Sequence, residues 1–389
     1  MKTSKCNNVS LIESDNCVGC FLCSFVCPTQ CIHMSFDELG FSHPKIDDKS
    51  CLNCGLCLSK CPINQHKNHD CPIGETAFGF SNDDSEFLKQ SSSGGFFSYL
   101  ANEMVKKEKA KVFGAAFVDK TDLRMICADN DISLKPLFGS KYVQASLHDA
   151  FSSLRDSLNN GDIVLFCGTP CQVAAITSLF GNEPPSNLFL IDFICHGVSS
   201  PTIFKDYIKT KEIQNGPVSQ IKFRYKQESW ASYGMLIKYE NGEEIFESKN
   251  DNYVYKAFLS NYSLRESCFN CCFKGKNRFS DITIGDYWGV EKIYPNSDCK
   301  RGLSIVIPNT IKGNNLIKKY GVNHDFLKTD IATVARFNSS YIAPVKKPRN
   351  YGRFIKEFNK SSFEKAIDKY CRENRLITFL RVLKRKILK

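Results

Sequence analysis

The feature that most constrains this chain is a duplicated cysteine array. The run Cys17-Val-Gly-Cys-Phe-Leu-Cys-Ser-Phe-Val-Cys-Pro returns as Cys51-Leu-Asn-Cys-Gly-Leu-Cys-Leu-Ser-Lys-Cys-Pro. A Cys-x2-Cys-x2-Cys spacing wraps a tight turn around one compact body, so three sulfurs converge with little strain. Proline after a fourth cysteine stops the turn and redirects the chain. In such paired arrays the fourth cysteine serves the other centre. The spacing therefore assigns Cys17, Cys20, Cys23 and Cys61 to one [4Fe-4S] site, and Cys51, Cys54, Cys57 and Cys27 to its partner. Zinc also takes paired Cys-x2-Cys, but it needs four ligands, and eight cysteines in two proline-terminated arrays exceed that need.

Between the arrays, Ile32–Phe36 and Phe41–Ile46 flank Asp37-Glu38-Leu39-Gly40, which reads as a β-hairpin. Together these features predict an α+β ferredoxin-like two-cluster module over residues 1–72, with a polar exit linker over Asn64–Pro72. The chain has 20 cysteines, yet its N-terminus lacks the apolar stretch of a signal peptide, so metal and reduced thiols are expected rather than a disulfide framework. No apolar run reaches the length of a membrane span, and a cytoplasmic location follows as the expectation. The formal charge of +11 would ordinarily suggest an anionic partner. Each cluster with its four thiolates carries about −2, however, which cancels much of that excess, and the basic residues are dispersed. Nucleic-acid binding is not expected.

From Thr76 the pattern changes to alternating strand and helix signals. Ser91-Ser92-Ser93-Gly94-Gly95 leads into an amphipathic helix carrying Phe96, Phe97, Leu100, Met104 and Val105. Ile163–Cys167, a helix over Gln172–Phe180 and Leu188–Ile194 form a strand–helix–strand unit, which predicts an α/β core with a mostly parallel central sheet and covering helices. Gln220–Tyr225, Met235–Tyr239 and Glu244–Glu247 read as antiparallel strands. After about Pro348 the chain reads as a basic helical tail. Its last part, Leu376–Lys389, mixes apolar and basic positions at helical spacing, so it is a candidate for anionic membrane contact, although packing on its own domain is the commoner fate of such a tail.

A third cysteine set is more dispersed. Cys171 and Cys195 each end a predicted strand, where open α/β folds gather ligands, and Cys268 and Cys271 form another Cys-x2-Cys. Spacing alone leaves a third centre and ordinary buried thiols equally open. Cys6, Cys31, Cys71, Cys127, Cys167, Cys272, Cys299 and Cys371 match no ligand pattern and are read as structural.

Several motifs together carry a resemblance: Ser92-Ser93-Gly94-Gly95, Gly139-Ser140-Lys141-Tyr142, Gly168-Thr169-Pro170-Cys171-Gln172, Cys195-His196-Gly197-Val198, Cys268-x2-Cys271 and Asp281-Ile-Thr-Ile-Gly-Asp-Tyr-Trp-Gly289. In that order, over roughly residues 75–345, the chain resembles the coenzyme F420 hydrogenase/dehydrogenase beta-subunit family, here behind an N-terminal ferredoxin. The resemblance implies a flavin-binding core (73–158 its N-terminal region, 159–347 its C-terminal region, 348–389 the tail) with a third [4Fe-4S] cluster on Cys171, Cys195, Cys268 and Cys271. It implies FAD contacts at Ser93, Gly94, Gly95, Lys141, Tyr142 and Trp288, and it makes His196 and Asp286 candidate catalytic residues. Arg224, Lys226 and Trp230 fall in the stretch that commonly reads Phe-Arg-x-Lys-x-x-Gly-Trp, with Ser229 in place of the glycine. The implied function is an iron–sulfur flavoprotein oxidoreductase, linked to F420 as substrate or to polysaccharide biosynthesis. A redox partner protein or a ferredoxin would exchange its electrons. The alternative is a non-catalytic electron-transfer subunit of a partner enzyme.

Overall fold

The computed structural model describes residues 7–66, 74–181, 184–230, 232–294, 302–321 and 324–371. Cys6, Cys71, Cys299 and the segment Leu376–Lys389 lie outside the described residues.

Near the N-terminus, β1 (Ile32–Phe36) pairs antiparallel with β2 (Ser42–Ile46) in the register Ile32 to Ile46. Asp37 closes the hairpin: its Oδ1 accepts from the Leu39 and Phe41 amides at 3.0 and 2.8 Å, and Gly40 takes a φ of +78°. Each Cys-x2-Cys-x2-Cys run passes through a left-handed residue (Phe21 and Gly55) into a one-turn helix, Leu22–Phe25 or Leu56–Ser59.

The core is an α/β unit around an eight-stranded mixed sheet. Its strands are β3 (Thr76–Phe80), β4 (Lys111–Phe117), β5 (Leu123–Ala128), β6 (Val164–Gly168), β7 (Leu188–Phe193), β11 (Ile282–Asp286), β12 (Ser304–Pro308) and β13 (Leu327–Asp330), in the order β13-β3-β12-β11-β7-β6-β4-β5. The expected parallel sheet exists only in the middle, where β4, β6, β7 and β11 run together. Both flanks are antiparallel, which corrects the mostly parallel expectation. The short link from β4 to β5 cannot carry the crossover that a parallel pair needs. The strand–helix–strand unit is the one the sequence predicts: the helix Pro170–Phe180 joins β6 to β7, capped by Thr169 at its start and by Gly181 at φ +86° at its end.

A second sheet, β8 (Val218–Ser229), β9 (Ser232–Tyr239) and β10 (Glu244–Ser248), is antiparallel throughout. Apolar clusters fill the space around the large sheet. One cluster includes Phe113, Phe166, Ile176 and Phe204 and extends to Phe354, Phe363 and Ile367, so the helices Tyr351–Lys360 and Phe363–Tyr370 pack into the core. Among the described residues, no helix is long and apolar enough to cross a membrane.

Candidate functional site

Local backbone geometry sets out the array cysteines. Cys27, Cys31, Cys51, Cys54 and Cys57 line one small void together with Asn8, Pro28 and Ile32. The Val9 amide donates to Cys57 Sγ at 3.3 Å, and Asn8 Nδ2 to Cys51 Sγ at 3.8 Å, interactions that favour thiolate ligands. Cys54 is exposed at this outer site.

The other four array cysteines group farther in. Burial first, and then the charges of Cys23, Cys61 and Cys17, push the Cys20 thiol well above its ordinary range. Burial also opposes ionisation of Cys17, but a hydrogen bond with His43 and the nearby Arg265 guanidinium outweigh it and hold its pKa below the ordinary value. Cys17, Cys20, Cys23 and Cys61 thus lie near one another, and Cys27, Cys51, Cys54 and Cys57 share the small void. Among the described residues no three Cys, His, Asp or Glu side chains converge closely enough for a single metal ion.

The third set gathers at the carboxyl ends of the parallel strands. Cys171 lies in the first turn after β6, and its Sγ is 3.1 Å from Thr169 Oγ1. Cys195 follows β7, whose end is held by the Ile194 amide donating to Ile284 O at 2.8 Å. Burial, then the charges of Cys271, Cys195 and Cys268, push the Cys171 thiol up. Burial likewise takes Cys195 to about 11 and Cys268 to about 12. Deprotonating such thiols costs free energy unless a cation or cluster receives them. Lys274 Nζ donates to the Cys195 carbonyl and, at 3.1 Å, to Ser340 O.

Beside this set lies a cavity of about 390 Å³. It runs along the carboxyl ends of β6, β7 and β11, where open sheets bind ligands. Gly168, Thr169 and Cys195 belong to its wall, so the third set and the cavity share a partition. The cavity also brings together Ser93, Gly95, Lys141, Tyr142, His196, Asp286 and Trp288, residues far apart in the sequence. Ser93 Oγ donates to Leu303 O at 2.7 Å, and the Ser92 and Ser140 hydroxyls meet at 2.7 Å. Lys141 Nζ donates to the carbonyls of Pro136 and Phe138 at 2.7 and 2.9 Å, and burial lowers its pKa to about 7. Trp288 packs against Trp230 with ring centroids 4.4 Å apart. His196 Nε2 is 2.8 Å from Asn261 Oδ1, and burial lowers its pKa.

Gly94, between the wall residues Ser93 and Gly95, does not itself line the cavity. A Cβ there would lie 2.0 Å from Phe80 O and 2.6 Å from Ser304 N, so this glycine lets the serine loop pass between β3 and β12. Arg224 is the most informative wall residue that carried no site assignment. It is 6% exposed and sits at φ +50°, and its Nη1 donates to Asp286 Oδ2 at 2.6 Å. Among the described residues, its Nε and Nη2 have no hydrogen-bond partner. Cys167, read as structural, also reaches the cavity, and burial raises its pKa to about 12. The local signal for Cys167 was only its position ending β6.

Residues 161–333 match the family model for the C-terminal part of the coenzyme F420 hydrogenase/dehydrogenase beta subunit, and residues 16–64 match a 4Fe-4S dicluster domain. The segment 161–333 thus matches the F420 hydrogenase/dehydrogenase beta-subunit family that the motifs resemble, behind an N-terminal dicluster segment. The family match spans Cys171, Cys195, Cys268, Cys271 and Asp286, and the dicluster match spans all eight array cysteines.

Curated relatives match over short stretches. The NADH-dependent phenylglyoxylate dehydrogenase subunit delta of Aromatoleum evansii is 33% identical over 52 residues, 13% of this chain and 50% of the relative. The NADH-quinone oxidoreductase subunit I 2 of Geobacter metallireducens is 39% identical over 57 residues, 13% of this chain and 43% of the relative. An uncharacterized ferredoxin of Methanocaldococcus jannaschii is 33% identical over 54 residues, 14% of this chain and 69% of the relative. The matches thus span half or less of the first two relatives. Among solved structures, the F420-reducing [NiFe] hydrogenase complex of Methanosarcina barkeri aligns with a TM-score of 0.45 and 17% identity, over 77% of this chain and 90% of that one.

Proposed function

We propose that the chain is an iron–sulfur flavoprotein subunit of an oxidoreductase, with FAD in the cavity and three [4Fe-4S] clusters leading away from it. The observation that carries this reading is the partition shared by the third cysteine set and the cavity, formed by Gly168, Thr169 and Cys195. A flavin exchanges hydrides as well as single electrons, whereas cubane clusters exchange single electrons only.

The wall residues fit such a cofactor. Among the described residues the Nε and Nη2 of Arg224 lack a partner and suit an anionic or carbonyl oxygen, as does the Ser92 hydroxyl near the start of the helix Phe96–Glu108. Tyr142, Phe258 and Trp288 offer aromatic walls that exclude water. Lys141, its pKa lowered by burial to about 7, can hold or release a proton near neutral pH, while burial disfavours the charged form of His196. Cys272 interacts with both Cys271 and Cys61, and Cys57 with Cys23 and Cys61, so the sites follow one another from the cavity to exposed Cys54. This order also supports dividing the chain into an array module (1–72), two core regions (73–158 and 159–347) and the tail (348–389). The described cysteines are free thiols, which suits a cytoplasmic setting.

The relatives' names speak of NADH, and the family's of F420. Either carrier is a candidate donor, and a ferredoxin or a partner protein is a candidate acceptor at the outer site. Anaerobic reconstitution should yield about twelve iron atoms per chain, three clusters of four, and about one flavin. Reduction trials with F420, NAD(P)H and ferredoxin would then identify the donor. Iron for two clusters only, with no flavin, would overturn the reading. A full iron complement without flavin would instead favour the electron-transfer subunit, a role that suits the exposed Leu11, Phe36, Leu52 and Leu56 of the array module.

A further inference from the structure

Among the described residues, five thiols line the outer void, where a cubane takes four. Cys31, which no ligand pattern includes, is 3% exposed and lines the same void as Cys27, Cys51, Cys54 and Cys57. Its Sγ is 3.4 Å from Cys27 Sγ.

The backbone is shaped to bring it there. After Cys27-Pro28-Thr29, Gln30 adopts a φ of +54°, and its amide donates to Cys27 O at 3.2 Å. A left-handed conformation costs a non-glycine residue about 1–2 kcal/mol, so this turn is held by its surroundings. The Asp47 amide then fixes Cys31 through its carbonyl at 2.8 Å, at the start of β1. In the second array the matching position after Cys61-Pro62 holds Gln65, so the repeat itself does not require a thiol there.

We propose that Cys31 is a reserve ligand of the outer site, able to take the place of Cys27 on the same iron. The inference rests on the cluster reading above. In the exchange, the iron–sulfur bond to Cys27 breaks and one to Cys31 forms. The Cys31 proton passes to the released Cys27 thiolate across their contact, and no electron changes hands. Cys27 is part-exposed while Cys31 is buried, so the reserve thiol is the better protected of the two.

The test uses the full chain, reconstituted anaerobically with ferrous iron and sulfide, as Cys27→Ala, Cys31→Ala and the double variant. Both single variants should keep the unmodified protein's count of about twelve irons and its EPR spectrum after dithionite reduction. The double variant should lose from one iron to about four. A loss in Cys27→Ala equal to that of the double variant would overturn the proposal, as would a double variant that keeps all its iron. An unmodified protein that holds no iron in its array module would overturn the cluster reading instead. Should Cys27→Ala not fold, Cys27→Ser serves. Resonance Raman should then report four thiolate ligands in Cys27→Ser, and a serine-ligated iron there would refute the exchange.

Discussion

Arg278 and Asp192 are each 1% exposed at the side chain and meet at 3.3 Å, with Thr283 Oγ1 donating to the same carboxylate at 2.6 Å. Removing one member of such a pair strands the other. Arg278→Met should therefore lose about 3–5 kcal/mol in urea unfolding of the apoprotein, and Arg278→Met/Asp192→Leu should recover most of it. Equal stability of Arg278→Met and the unmodified chain would contradict the buried pair. Lys141 gives a pH signature. Burial lowers its pKa to about 7 in the folded chain, against 10.5 ordinarily. Between those values the unfolded chain binds a proton that the folded chain has released, so apoprotein stability should rise with pH across that window. Lys141→Met should remove that part of the slope, as read from unfolding curves at pH 7 and 9. At this scale the sequence motifs identified Lys141, Tyr142 and Trp288. Neither the two unpaired nitrogens of Arg224 nor the placement of Cys31 was legible, because both depend on partners brought in by distant turns.

Among the elements, the Ser91–Gly95 loop is the most demanding. A Gly94→Ala Cβ would collide with backbone on two strands, and backbone cannot swing aside as a side chain can. The substitution should cost at least about 1–3 kcal/mol in thermal unfolding and lower flavin retention, because Ser93 sits beside it. Gly352→Ala is the control. It lies in the helix Tyr351–Lys360, and a methyl added there would meet nothing within 4 Å, so stability should stay level or rise by up to about 1 kcal/mol. Loss of comparable size at both positions would remove the packing argument. The helix Phe96–Glu108 was readable from its periodicity and its preceding glycines, as was the hairpin from Asp37 and Gly40. The direction of the flanking strands was not, since apolar alternation carries no information about which partner a strand finds.

Over the whole molecule, Arg265 joins the array module to the core. It is 1% exposed, and its guanidinium donates to Cys17 O and Ser42 O at 2.8 Å and to Gln144 Oε1 at 3.1 Å. Gln144 in turn donates to Val18 O at 2.9 Å, and Ser200 Oγ to Leu39 O at 2.6 Å. Hydrogen bonds to a charged group contribute about 1.5–3 kcal/mol each, so Arg265→Met should raise the rate at which limited proteolysis frees the module by about tenfold or more. Arg265→Lys should fall between the two, and an unchanged rate would show that the contact does not hold the module. The array cysteines and the strand–helix–strand unit were legible in the sequence, because short spacings and capping residues act on the chain within a few positions. The placement of Cys31 at the outer void was settled only in the tertiary structure. Tertiary structure also decided that Gly94 serves packing and that Cys195 belongs both to a cysteine set and to a cavity wall. Each of those depends on segments tens to hundreds of residues apart meeting at one place, and local periodicity does not record such meetings.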